Sequence, residues 1–106
     1  MSYRYMRMIV FFDLPVVESQ DRYEYNLFRK YLVKNGFLMM QESVYCKLLQ
    51  NATHAFSVSE SIKRNKPPKG LIQILMITEK QFSRIEYVLG EKTTDIIDND
   101  ERLLVF

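Results

Sequence analysis

The run Met6-Arg7-Met8-Ile9-Val10-Phe11-Phe12-Asp13, closed by Leu14-Pro15, restricts this chain more than any other stretch. Both alternating sets, Met6/Met8/Val10/Phe12 and Arg7/Ile9/Phe11/Asp13, are largely apolar, as in a strand covered on both faces. Proline cannot donate to a sheet ladder, so Pro15 ends the strand. Asp13 is thereby left at the rim, where a charge reaches water, a metal or a partner.

A helix is expected next, capped by Ser19 or Asp21 and running to about Lys34. Tyr23, Leu27, Phe28, Tyr31 and Leu32 recur at three- and four-residue spacing and predict one buried face, with Arg22, Asn26, Arg29 and Lys30 mostly away from it. Asn35-Gly36 ends the helix. Residues 37–49 are too apolar for a loop and too long for one strand, so two strands are expected, 37–41 and 44–49, reversed at Gln41-Glu42-Ser43. No Gly or Asn-Gly marks a tight primed turn there, which leaves a bulge or a bend.

A second helix follows, capped by Asn51 or Thr53, with Ala52, Ala55, Phe56, Ser59 and Ile62 as a thin inward stripe. It ends in an exposed loop, Lys63-Arg64-Asn65-Lys66-Pro67-Pro68-Lys69-Gly70. Residues 71–77 are isoleucine-rich and almost wholly apolar, which predicts a central strand beside the first. Thr78-Glu79-Lys80-Gln81 fits a capping box opening a short helix with Phe82 and Ile85. Tyr87-Val88-Leu89 reads as a short fifth strand ended by Gly90, and the polar tail closes with Leu103-Leu104-Val105-Phe106, an apolar end that needs a docking place.

This order is the split βαβ, ferredoxin-like α+β arrangement, βαββαβ with appended C-terminal strands: an antiparallel sheet with both helices on one face. A single domain over residues 1–106 is expected, with its core at about 1–78 and an extension at about 79–106. The other sheet face is left uncovered. Because the first and fourth strands are apolar on both sides, a second copy is expected to cover it in a two-fold homodimer.

A net charge of only +2 means that nucleic-acid affinity has to come from local basic patches. One cysteine, Cys46, excludes an internal disulfide framework and fits a reducing compartment, the cytoplasm. The first apolar run meets Asp13 and Pro15 too early for a secretory core or a membrane span. One histidine, His54, and one cysteine leave no zinc-ligand cluster, and no glycine-rich phosphate loop is present.

Two Asp13 side chains brought together by a two-fold axis would make a pair of oxygen ligands suited to magnesium, which keeps several waters and needs only one or two carboxylates. The alternative is that Asp13 simply ends a strand. Gln41 and Ser43 would share a strand face and hold a water or a phosphate oxygen, or else satisfy the backbone at a bend. Lys63, Arg64, Lys66 and Lys69 form the densest basic cluster, and Arg22, Arg29, Lys30 and Lys34 line a helix face. Together these sets could track a duplex backbone, or they could be solvated surface. Asp95, Asp98, Asp100 and Glu101 lack the glycine of a calcium loop and read as a solvated acidic segment.

The segments Met8-Ile9-Val10-Phe11-Phe12-Asp13-Leu14-Pro15, Phe28-Arg29-Lys30-Tyr31-Leu32, Gly36-Phe37, Gln41-Glu42-Ser43-Val44-Tyr45 and Ile77-Thr78-Glu79-Lys80-Gln81-Phe82, in this order, resemble the small CRISPR-associated adaptation protein, "Cas-two", in the form found in type II-A systems of Gram-positive cocci. The resemblance covers nearly the whole chain. It implies a ferredoxin-like homodimer described as a magnesium-dependent endonuclease. It also implies a scaffold between two dimers of the CRISPR integrase, holding a duplex of captured DNA, with other adaptation proteins of the same system as further partners. The family's metal aspartate falls on Asp13, and its Gln-x-Ser-Val-aromatic segment places Ser43 and Tyr45 as neighbours of the catalytic site. Many members have tyrosine where this chain has Phe12, so a hydroxyl is missing here, and Arg22 is the best match to the family's arginines after the first strand.

Three function classes follow. The first is a DNA-binding scaffold of spacer acquisition, and the second a metal-dependent phosphodiesterase acting on DNA or RNA through paired Asp13 carboxylates. The third is a ferredoxin-like ribonuclease toxin or small-molecule sensor. No general base is identifiable in the sequence, which favours the scaffold over catalysis.

Overall fold

A computed structural model describes residues 5–91. Its elements run β1 (Met6–Asp13), α1 (Ser19–Lys34), β2 (Leu38–Gln41), β3 (Val44–Leu49), α2 (Ala52–Arg64), β4 (Leu71–Thr78) and a single-turn α3 (Glu79–Phe82). The four strands form one antiparallel sheet in the order β2-β3-β1-β4, the ferredoxin-like order.

The register sorts the side chains of β1. Met8, Val10 and Phe12 face the helices and are buried together with Phe28 and Leu32 of α1, Tyr45 and Leu49 of β3, and Ile62 of α2. Each such aliphatic or aromatic burial is worth about 1.5–3 kcal/mol. Arg7, Ile9, Phe11 and Asp13 point the other way, beside Val44, Cys46 and Leu48 of β3 and Leu71, Gln73, Leu75 and Ile77 of β4. Among the described residues no layer of long helices covers that second face, although α3 packs on Arg7, and Ile9 and Cys46 are buried there.

The sequence places β4 centrally, and the structure places it at an edge, with β1 and β3 in the middle. The isoleucines mislead because the open face also carries apolar side chains, so β4 looks two-sided without being enclosed. Leu71 and Leu75 are about half exposed on it.

The buried stripe of α1 is Asp21, Tyr25, Phe28 and Leu32, with Tyr31 beside it. Tyr23 and Leu27, expected in the core, are exposed at 59% and 49%. Tyr23 sits about 200° round the helix from Tyr25, and contact with Phe12 selects the Tyr25 side. The cap also differs from expectation: Glu18 is the N-cap, and the Asp21 carboxylate accepts from its backbone N–H at 3.4 Å. At the far end Gly36 takes φ 89°, Phe37 N–H reaches the Leu32 carbonyl at 3.0 Å and Gly36 N–H the Val33 carbonyl at 3.1 Å. This is the paired closure that lets the apolar residue after the glycine pack back on the last turn, and Phe37 is buried there.

The β2–β3 reversal adds to the expected bulge a tight turn that no glycine or Asn-Gly signals. Glu42 and Ser43 form a two-residue turn with Ser43 at φ 66°, and the register shifts between Met39 and Gln41. In α2 the Asn51 side chain caps by accepting from His54 N–H at 2.8 Å, and Ala55, Val58 and Ile62 turn inward. Phe56, expected inside, is 68% exposed because it falls off that three-and-four spacing. The capping box at α3 is present: Thr78 Oγ1 accepts from Gln81 N–H at 3.0 Å and Gln81 Oε1 from Thr78 N–H at 2.9 Å. Tyr87-Val88-Leu89 is not a strand, and Val88 and Leu89 are almost fully exposed, pairing with neither edge strand of the sheet. The apolar tail from Leu103 to Phe106 and the carboxylates Asp95, Asp98, Asp100 and Glu101 lie outside the described residues.

No helix among the described residues is long and apolar enough to cross a membrane.

Candidate active site

Asp13 is the last residue of β1, exposed, and paired in register with Leu71 of β4. Its carbonyl lies against Gly70, where a Cβ would sit 2.9 Å from that oxygen and 2.6 Å from Leu14 Cδ2. The α2–β4 loop therefore holds the end of β1 by close backbone approach, which only glycine allows.

A hydrogen bond from Phe12 N–H to the Ser43 carbonyl, 3.0 Å, ties the same end of β1 to the β2–β3 turn. The result is an open cleft of about 280 Å³ lined by Phe11, Phe12, Asp13, Glu42, Ser43, Val44, Leu71 and Gln73. Three strands and one turn thus bring together two carboxylates and an amide on apolar walls, with Ser43 at the turn. Glu42 and Gln73 are absent from the residues singled out by sequence. Glu42 was within reach of sequence reasoning, because an antiparallel β1–β3 pair necessarily sets the β2–β3 turn beside the end of β1.

Of the expected catalytic set, Asp13 and Ser43 share this cleft and Tyr45 does not line it. Tyr45 pairs with Val10 on the helix side of the sheet and is 1% exposed, its ring stacked 5.7 Å from Phe12. Burial pushes the Tyr45 phenol up, against the pull of the Arg29 guanidinium bonded to it. The strand alternation that sends Asp13 outward sends position 45 into the core. Ser43 is itself shared between the two sides: its backbone closes the cleft while its hydroxyl meets Tyr25 OH at 3.3 Å. Phe12 packs edge-on to Tyr25 and Phe28 at 5.8 and 5.2 Å, so a hydroxyl added at this position would enter an aromatic core rather than the cleft.

The basic residues divide by what they touch. Arg22 Nη1 donates to the Val16 and Val17 carbonyls at 3.2 and 2.7 Å, bracing the loop that follows Asp13. Lys69 pairs with the buried Asp21 at 3.1 Å, and that bond holds the Asp21 carboxyl below, and the Lys69 ammonium above, their ordinary ranges. Lys63 pairs with Glu60 at 3.0 Å, and Lys66 donates to the Lys63 carbonyl at 3.2 Å. Lys30, Lys34 and Arg64 are exposed and make no hydrogen bond or ion pair among the described residues. The expected loop cluster is therefore partly neutralised within the protomer.

No group of three or more His, Cys, Asp or Glu side chains that could hold a metal ion occurs among the described residues. Asp13 and Glu42 with neighbouring neutral oxygens are nonetheless the hard donors that magnesium takes, and one or two carboxylates suffice for it.

The family model for CRISPR associated protein Cas2 matches residues 6–85. A protein named CRISPR-associated endoribonuclease Cas2 from Treponema denticola is 52% identical over 100 residues, 94% of this chain and 99% of that one. A relative of the same name from Streptococcus mutans is 46% identical over 99 residues, 93% of this chain and 91% of its own length. A solved structure titled as that of cas2 superposes with a TM-score of 0.59 at 22% identity, covering 85% of this chain and 92% of the other, a likeness of fold. With the ferredoxin-like sheet and the aspartate at the end of its first strand, these matches place the chain in the CRISPR-associated Cas2 family.

Proposed function

We propose that the protein works in the cytoplasm as a homodimeric scaffold of CRISPR adaptation, one ferredoxin-like unit per protomer with an extension from Glu79 onward. In this reading it holds a captured DNA duplex between integrase dimers. The observation that carries it is the open sheet face: β1 and β4 present apolar side chains there, Leu71 and Leu75 about half exposed, with no layer of long helices over them among the described residues, and Asp13 lies at its rim. A second copy covers that face and places both Asp13 clefts in one assembly. Exposed Lys30, Lys34, Arg64 and Lys66 supply phosphate contacts without base readout.

A phosphodiester-cleaving activity at the Asp13 cleft is the second part of the reading, supported by the endoribonuclease name of the relatives. Magnesium, held by Asp13 with Glu42 in the same cleft, would supply charge stabilisation to a phosphodiester oxygen. The chain's own part is to orient: Gly70 and the Ser43 carbonyl fix the end of β1, and Gln73 offers hydrogen bonds to a sugar or phosphate.

The deciding experiment compares wild type with Asp13→Asn in two assays, spacer acquisition in cells and magnesium-dependent cleavage of RNA and DNA in vitro. The scaffold reading expects acquisition to persist in the folded variant while any cleavage falls at least 100-fold. Loss of acquisition in a folded Asp13→Asn dimer would put chemistry ahead of scaffolding. Growth arrest on expression alone would favour a toxin, and ligand-induced thermal stabilisation without DNA binding would favour a sensor.

A further inference from the structure

Asp21 is the one buried charged side chain among the described residues, and it does not line the Asp13 cleft. Burying a carboxylate is costly unless it is paired and hydrogen-bonded, so its partners show what it holds. Oδ1 takes the Lys69 ammonium at 3.1 Å, and Oδ2 takes the Glu18 N–H at 3.4 Å. Lys69 directly precedes Gly70, whose backbone lies against the Asp13 carbonyl. The space left between α1 and this loop, beside Leu14, Pro15 and Pro67, is about 10 Å³, room for about one water.

One helical turn on, Tyr25 faces the same way as Asp21, and its hydroxyl meets Ser43 Oγ at 3.3 Å. Ser43 is the one non-glycine residue at positive φ, 66°, among those described, and such a backbone persists only where its surroundings fix it. Its carbonyl takes the Phe12 N–H at 3.0 Å, and its neighbour in the turn is Glu42. Asp13 is thus flanked by two loops that pass through left-handed backbone where they touch β1, Gly70 at 109° and Ser43 at 66°. Each loop is tied to α1 by one side chain, four residues from the other.

We propose that Asp21 and Tyr25 are positioning residues of the Asp13 cleft: Asp21 acts through Lys69 and Gly70 on the backbone of Asp13, and Tyr25 acts through Ser43 on Glu42. Together they fix where the two carboxylates stand relative to each other. The inference rests on the reading of that cleft as a magnesium site and adds the residues that hold it in register. Magnesium demands near-ideal octahedral geometry, so a loop free to drift costs affinity even with both carboxylates present. Neither Asp21 nor Tyr25 touches the ion or the substrate in this scheme.

The test uses manganese(II) on the full chain without nucleic acid, its dissociation constant read by electron paramagnetic resonance, with circular dichroism confirming that each variant is folded. Carboxylate and neutral oxygens suit manganese as they suit magnesium. Tyr25→Phe and Lys69→Met are each expected to weaken binding roughly tenfold, the lower end of what losing an outer partner of a metal site costs. Lys69→Met is the sharper of the two, because removing a nearby cation would by charge alone tighten manganese binding. Lys69→Arg keeps a cation for Asp21 and should bind within about threefold of wild type. Tyr31→Phe is the matched control: it deletes a hydroxyl of the same helix bonded to Ser61, a residue outside the cleft, and should also bind within about threefold of wild type.

A second readout needs no metal. Tyr25→Phe should speed hydrogen exchange of the Phe12 amide at least about tenfold relative to that of Val10 in mid-strand, whereas a general loss of stability would speed both alike. Manganese held as tightly by either Tyr25→Phe or Lys69→Met as by wild type overturns the inference and leaves the metal site standing. Equal weakening in Tyr31→Phe also overturns it, since the effect would then be a loosening of α1 as a whole. Wild type that fails to bind manganese, or Asp13→Asn that binds it equally well, overturns the metal reading itself and the inference with it.

Discussion

Gly70 is where one added carbon tests how the end of β1 is held. At φ 109° the backbone is in a region that L side chains rarely adopt, and forcing an alanine there costs about 1–3 kcal/mol. Its Cβ would also sit 2.6 Å from Leu14 Cδ2, 2.9 Å from the Asp13 carbonyl oxygen and 3.2 Å from Leu14 Cα. The Leu14 methyl can swing away, whereas the two backbone atoms move only if β1 and β4 separate. Overpacking of this kind costs about 1–3 kcal/mol more, so Gly70→Ala should lose about 2–6 kcal/mol. Gly36→Ala is the control: its φ of 89° brings similar strain, but its Cβ meets only the flexible end of Lys47, 2.6 Å from Nζ. Urea unfolding of both variants should therefore show Gly70→Ala the weaker by about 1–3 kcal/mol, a difference of roughly 10 °C in melting temperature for a domain of this size. Equal losses within about 0.5 kcal/mol would refute the argument that the α2–β4 loop positions Asp13 by backbone contact.

Other outcomes follow from the same contacts. Leu32→Ala, at a fully buried position, should cost about 2–5 kcal/mol in chemical denaturation. Tyr25→Phe removes the hydroxyl that meets Ser43 and should cost about 0.5–1.5 kcal/mol, read by the same unfolding assay. The Asp21 carboxyl is held low by Lys69, so its stabilisation is full above the ordinary carboxylate pKa of about 4 and is lost as pH falls through the lowered folded value. A urea midpoint followed from pH 6 to pH 2 should accordingly fall less steeply in Asp21→Asn than in wild type. Burial pushes the Cys46 thiol up despite the nearby Arg7, so alkylation at neutral pH should proceed only as the chain unfolds. Rapid labelling of the folded protein would contradict that burial.

Local chemistry was enough to read much of this molecule from its residues. The strand from Met6 to Asp13, its end at Pro15, the glycine closure after α1, the Asn51 cap and the Thr78–Gln81 capping box all depend on atoms within a few positions of one another. Their order was enough to infer the ferredoxin-like sheet and an uncovered apolar face. Which side of each element faces inward was decided by tertiary packing. Phe12 draws Tyr25 and Phe28 into the core and leaves Tyr23 and Leu27 outside, and the β1–β3 register sends Tyr45 to the helix side, away from Asp13. The company of Asp13 was also settled only in three dimensions. Glu42 comes from 29 positions downstream and Gln73 from 60, and only the pairing of β1 with the β2–β3 turn and with β4 brings them to one cleft. The basic loop shows the same division, since the carboxylate that takes Lys69 is Asp21, far off in sequence on α1. A sequence displays what each side chain can do, but strand register and helix rotation decide which of them meet, because those depend on the summed packing of the whole core.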